Sequence, residues 1–184
     1  MMLVAALTTG CGYNTVVEKD QDVQSAWAEV QNQYKRRADL VPNLVNVVKG
    51  SANFEKETLE KVVEARASVG KVSVDASTID DPEKLKEFEA AQNKLSGALG
   101  RLLVVSEQYP DLKASASFRD LQGQLEGTEN RVTVARRRYI EAVGEYNKTV
   151  LVFPSSLGAS LRGKKERPNF TGNPADENAP EVKF

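Results

Sequence analysis

Residues 23–48 read VQSAWAEVQNQYKRRADLVPNLVNVV, and side chains at 23, 27, 30, 34, 41, 44 and 48 are apolar. Steps of four and three residues are those of a helix burying one stripe, and only Arg37 fills the missing beat. Pro42 has no amide proton and disturbs a helix. Yet Val41, Leu44 and Val48 stay in phase across it, so the spacing predicts one helix kinked at Pro42 rather than two helices. Gly50 ends this helix and Asn53 is placed to cap the next. So short a connection forces an antiparallel hairpin.

The same spacing continues along the chain. A second helix is expected from about Phe54 to Val69, with Leu59, Val62, Arg66 and Val69 on one face. Asp81 caps a third that opens on Pro82, where a missing amide costs nothing. Its seam is Leu85, Phe88, Gln92, Leu95, Leu99, Leu102, Ser106 and Tyr109, and Pro110 closes it. Residues 117–120 form a capping-box pattern, Ser117 to Asp120, ahead of a fourth seam from Phe118 through Leu121, Leu125, Thr128, Val132, Ala135, Tyr139 and Ala142 to Tyr146. The fold class that follows is all-α, an elongated antiparallel four-helix bundle with a kinked first helix over residues 21–153. Residues 154–184 hold four of the seven prolines and no periodic apolar face, so they are expected to be a disordered tail.

Two seam positions carry cations. A buried charge is costly unless paired, so Arg37 and Arg66 need a counter-ion at their own height. Arg37 lies 13 residues before Gly50, Arg66 lies 13 residues after Asn53, and Glu129 lies 12 residues after Ser117 at the same end of the bundle. An Arg37–Arg66–Glu129 polar layer is therefore expected, with Glu126 or Asn130 as substitutes if the register slips by one turn. Gln92 and Thr128 add further polar seam positions. Such a layer specifies helix register, its best-attested use, or else floors a ligand cleft.

Composition excludes several function classes. The chain has no histidine and a single cysteine, which removes the commonest general base, the commonest metal ligand and any internal disulfide. No Gly-rich phosphate loop and no Gly-x-Ser-x-Gly elbow occurs. With 25 Lys plus Arg against 26 Asp plus Glu there is no global electrostatic case for nucleic acid. The expectation is no catalytic residue, no cofactor-binding residue and no metal ligand. The basic runs Lys35–Arg37 and Arg136–Arg138 each spread over about 200° of a helix and so read chiefly as solvated faces.

The beginning reads as an address. Residues 1–10 are uncharged and run through small residues to Cys11, the pattern of a bacterial lipoprotein signal in which the cysteine is acylated. Two acyl chains, at about 0.8 kcal/mol per buried methylene, anchor a protein without a membrane helix. The expected plan is a signal over 1–10, lipid on Cys11 and a tether over 11–20. The missing cationic start points to a truncated beginning.

Tyr-Asn at 13–14 and 146–147, the run from Tyr34 to Val45, Ala-Arg-Ala at 65–67, Glu-Gln-Tyr-Pro at 107–110 and Thr-Glu-Asn-Arg at 128–131 together resemble the LemA family, bacterial membrane-associated helical proteins. The resemblance covers roughly residues 12–154. It implies a helical bundle and a membrane address, and it brings no molecular activity. The expected function is a lipid-anchored, extracytoplasmic scaffold that is not an enzyme, with envelope proteins or further copies of itself as partners and no nucleic acid or metal. Two alternatives stand beside it: a lipid- or peptide-binding module opening near Pro42, and an envelope enzyme working through carboxylates alone.

Overall fold

The computed structural model describes residues 3–51, 54–72, 75 and 79–170, with side chains from Asn14 onward. It contains α1 (Leu3–Lys49), α2 (Lys56–Lys71), α3 (Pro82–Ser106), α4 (Pro110–Ala114), α5 (Ala116–Leu151) and α6 (Ser155–Leu161). Most of the described residues are helical, and no strand occurs among them. Four of the helices, α1, α2, α3 and α5, form the expected all-α bundle and alternate in direction.

The caps show why the elements begin and end where they do. The Asp81 carboxylate accepts from the Glu83 and Lys84 amides at 2.9 and 3.3 Å, satisfying two of the orphan donors that open α3. At the other end of the bundle Gly50 and Ser51 donate back to the Val47 and Val48 carbonyls and close α1. The expected cap at Asn53 lies outside the described residues. Two expectations are corrected here. Pro110 does not merely follow α3 but opens α4, whose Leu112 plugs the end of the core, and α5 starts at Ala116 behind Ser115 rather than at a Ser117 capping box.

Helix α1 passes through Pro42 without a break. Pro42 is exposed, so the missing hydrogen bond lies on the wet side of the helix. The carbonyl deprived of its i+4 donor is that of Ala38. Arg66 Nε donates to it at 3.2 Å, so a side chain of α2 supplies the proton that Pro42 lacks.

The tether and the first part of the expected tail are corrected, while residues 171–184 of that tail lie outside the described residues. Residues 11–20 are not a linker but the continuation of α1, with Val16 and Asp20 buried in the bundle. Residues 154–170 are ordered against it: α6 buries Ala159, and Arg167 and Phe170 are 7% and 8% exposed. Helix α2 ends at Lys71, level with Tyr34, so it leaves the Trp27 and Tyr139 faces of α1 and α5 without a cover. Phe170 fills that space, its ring centroid 5.9 Å from Trp27 and 5.1 Å from Tyr139. Burying one aromatic ring contributes about 1.5–3 kcal/mol, which offsets part of the entropy of ordering the segment.

Candidate functional site

The core is divided in two. One apolar cluster includes Trp27, Tyr34, Phe88, Val132 and Tyr139, the other Val41, Leu44, Leu95, Leu102 and Leu125. Between them, at a single height, lie Arg37, Gln92, Thr128 and Glu129. Three seams, those of α1, α3 and α5, interrupted at one level make a polar layer across the bundle.

Arg37 is 2% exposed and is the centre of this layer. Its Nη1 donates to both Glu129 carboxylate oxygens at 3.0 Å and to Ser96 Oγ at 2.5 Å. Nη2 donates to Gln92 Oε1 at 2.6 Å and to the Gln92 carbonyl at 3.1 Å, and the guanidinium lies 4.9 Å from the centroid of the Tyr34 ring. Ser96 Oγ in turn donates a hydrogen bond to Glu129 Oε1 at 2.9 Å. The two ions are unequally placed, since the Glu129 side chain is 49% exposed. The cation is thus buried among neutral acceptors while the anion sits at the rim in contact with water.

The structure brings together two of the three residues expected in the layer. Arg66 is corrected out of it: it is exposed and serves the Ala38 carbonyl, one turn before Pro42. Sequence reasoning placed Arg66 at the correct height but on the wrong face, because equal height says nothing of the side from which a helix is approached. Ser96, absent from the expected set, completes the Glu129 side; it lies one position after the seam residue Leu95 and carried no periodic signal.

A second charged layer lies one turn away. Arg136 Nη1 donates to Tyr34 Oη at 3.0 Å, Nη2 donates to Glu89 Oε1 at 2.8 Å, and the guanidinium stacks 4.1 Å from the Phe170 ring centroid. Burial alone would lower its pKa, but Tyr34 and Glu89 outweigh that and hold it above the ordinary value. The run 136–138 is therefore not uniformly solvated: Arg136 is half-buried, whereas Arg137 and Arg138 face water.

A third cluster fastens the final segment. Arg167 pairs with Asp20 at 3.0 Å and Asp80 at 2.7 Å, Lys164 pairs with Asp20 at 3.0 Å, and the Arg167 guanidinium lies 4.9 Å from the Tyr146 ring centroid. The Asn147 side chain clasps the backbone of Arg167 in both directions, accepting from its amide at 2.8 Å and donating to its carbonyl at 2.9 Å. Asn147 and Arg167 are the residues that sequence reasoning missed. Their signal was the Tyr-Asn pair at 146–147, which the spacing alone leaves without a partner.

Two clefts adjoin the Arg37 layer. The smaller, about 170 Å³, lies between α3 and α5 and is lined by Arg37, Ser96, Leu99, Gly100, Leu103, Leu125, Glu126 and Glu129. Its two acids come from one helix, one turn apart, with Glu126 accepting from Gln122 at 3.0 Å and Glu129 held by Arg37. They do not face each other across a gap as an acid–base pair does. The larger cleft, about 560 Å³, lies on the Arg66 side and is walled by Tyr34, Ala38, Ala67, Val69, Val72 and Phe88 among others. Among the described residues no group of three or more His, Cys, Asp or Glu is placed to hold a metal ion.

The side chain of Cys11 lies outside those described, and its backbone belongs to α1. Among the described residues no helix is long and apolar enough to cross a membrane.

Comparison with known proteins agrees with this architecture. The chain is similar to a protein named LemA from Metamycoplasma hominis, 26% identical over 140 residues, covering 76% of this chain and 60% of that protein. It is also similar to the magnetosome protein MamQ 2 of Paramagnetospirillum magneticum, 25% identical over 181 residues, with 90% of this chain and 66% of the relative covered. MamQ of Magnetospirillum gryphiswaldense is 25% identical over 194 residues, with 96% and 71% covered. The chain thus spans 60–66% of the length of the first two relatives. The LemA family model matches residues 26–184, from the heptad seam of α1 through the fastened final segment, and the chain belongs to the LemA family.

Proposed function

We propose that this chain is a lipid-anchored helical rod of the cell envelope that acts by contact with other proteins or with further copies of itself, without catalysis. The observation that carries this reading is the continuity of α1. The segment from Met1 to Val17 is uncharged, and the helix that begins in it at Leu3 runs without interruption into the core, where Val16, Val23 and Trp27 are buried. An anchor at Cys11 would then be rigidly coupled to a bundle whose α1 extends about 50 Å beyond Val16 at 1.5 Å per residue. Its two buried arginines are engaged within the bundle: Arg37 with Glu129, Gln92 and Ser96, and Arg167 with Asp20 and Asp80. MamQ is named for the magnetosome and not for a reaction, which suits a part acting by assembly.

Cys11→Ala, expressed from the true start codon, is expected to leave the washed membrane fraction, and crosslinking in intact cells is expected to capture partners with the native chain. Retention of the variant in membranes would sink the lipid anchor. A native chain that yields no crosslinked species, hetero- or homo-oligomeric, would sink the scaffold.

A second reading, a lipid- or peptide-binding module, is favoured by the 560 Å³ cleft beside Arg66. Saturable displacement of a bound fluorescent fatty acid, lost in Ala67→Trp, is its expected signature. Absence of saturable binding refutes it.

A further inference from the structure

Packing leaves one corner of the bundle bare. Where α5 turns into α6, Leu151, Val152, Phe153, Leu157 and Leu161 are 61%, 55%, 74%, 55% and 85% exposed. A detached α6 does not explain this, because Ala159 is fully buried in the same cluster as Val16 and Val150. Leu157 and Leu161 each lie two residues from Ala159, about 200° around a helix, so seating Ala159 on the bundle turns both leucines outward. Single exposed leucines need no explanation, but five large apolar side chains between Leu151 and Leu161 do.

Charge along the corner's own stretch of chain has one sign, with Glu145 and Glu166 at its flanks. From Lys148 to Lys165 the chain holds four cations, Lys148, Arg162, Lys164 and Lys165, and no carboxylate. Lys164 pairs with Asp20 at 3.0 Å, and the side chains of Lys148, Arg162 and Lys165 reach the surface. The corner also lies at the end from which α1 projects. Beyond Val16 that helix runs back to Cys11, about 8 Å, through sequence that carries no charge.

An uncharged helix leaving the bundle beside an apolar corner rimmed by cations matches one chemistry on both counts. The geometry points to the α5–α6 corner as a surface that rests on an anionic lipid bilayer, its leucines and Phe153 in the headgroup–acyl boundary and Lys148 and Lys165 on the phosphates. Its orientation rests on the tethered reading above. The corner fixes which end of the rod faces the lipid and makes the bundle stand against the membrane at two places, Cys11 on α1 and the α5–α6 turn.

The test does not need the natural anchor. The full chain carrying Phe153→Trp and an amino-terminal hexahistidine segment is held on nickel-chelating vesicles of brominated phosphatidylcholine, with or without phosphatidylglycerol. The same chain without Phe153→Trp supplies the background of Trp27, which is 2% exposed. The new tryptophan is expected to shift to the blue and to be quenched about twofold on anionic vesicles, and Leu157→Ser with Leu161→Ser is expected to reverse most of that change. Water-like, unquenched emission on vesicles that hold the chain overturns the proposal, whatever anchors the protein in the cell. A blue shift without lipid overturns it as well: seen at high dilution, it assigns the corner to the chain's own terminal residues, and seen only on concentration, to a second copy. Cys11→Ala fractionation reports on the tether alone.

Discussion

Removing Glu129 is the most direct probe of the polar layer. A fully buried ion pair loses about 3–5 kcal/mol when one partner is deleted, and an exposed pair about 0.2–1 kcal/mol. Arg37 is at the first limit and Glu129, with 49% of its side chain in water, lies between the two. After Glu129→Leu, Arg37 retains the Gln92 carbonyl, Gln92 Oε1 and Ser96 Oγ, so its charge is not abandoned. A cost of about 2 kcal/mol follows, or about 4–8 °C in melting temperature for a chain of this length. Arg37→Met has a different origin of cost. It frees Glu129 to turn into water but strands Gln92 Oε1, a buried acceptor whose loss of a partner costs about 1–3 kcal/mol. In the Arg37→Met background Glu129→Leu should therefore be nearly neutral, giving a coupling of about 2 kcal/mol by urea denaturation of the four species. A coupling below about 0.5 kcal/mol would show that water already screens the pair and that the layer does not specify register.

The fastened final segment predicts that truncation after Phe153 destabilises the bundle, and that Phe170→Ala alone costs about 3 kcal/mol, measured by thermal melting. An unchanged melt would mean that residues 154–170 are not held on α1 and α5. Arg66→Leu should cost about 1 kcal/mol in the native chain and nearly nothing beside Pro42→Ala, because residue 42 then donates its own amide to Ala38. Equal costs in both backgrounds would refute that role. Burial pushes the phenols of Tyr139 and Tyr146 above their ordinary 10.0, and in the unfolded chain they ionise near that value. The stability they carry is complete below about pH 10 and is lost as pH rises through the raised values, so urea midpoints should hold up to about pH 10 and fall above it, less steeply in Tyr139→Phe. An identical slope in that variant would locate the alkaline loss elsewhere.

Much of the bundle is local information. Spacing of four and three residues from Val23 to Val48 and from Leu85 to Ser106 is a property of each helix alone, so the seams and the hairpin at Gly50 could be read directly. The height of Glu129 opposite Arg37 was also legible, because short connections tie residue counts to distance along antiparallel axes. Facing is a different quantity. Arg66 shares that height, yet it turns to the Ala38 carbonyl, and only the approach of α2 to α1 decides between a buried layer and a backbone contact. The final segment was illegible for a related reason. Its order comes from no repeating pattern but from one ring, Phe170, entering space left by the shortness of α2, and from Asp20, Asp80 and Asn147 converging on Arg167. Periodicity records how an element buries its own face. The vacancies left between elements of unequal length, and the isolated side chains that fill them, exist only once the helices are packed.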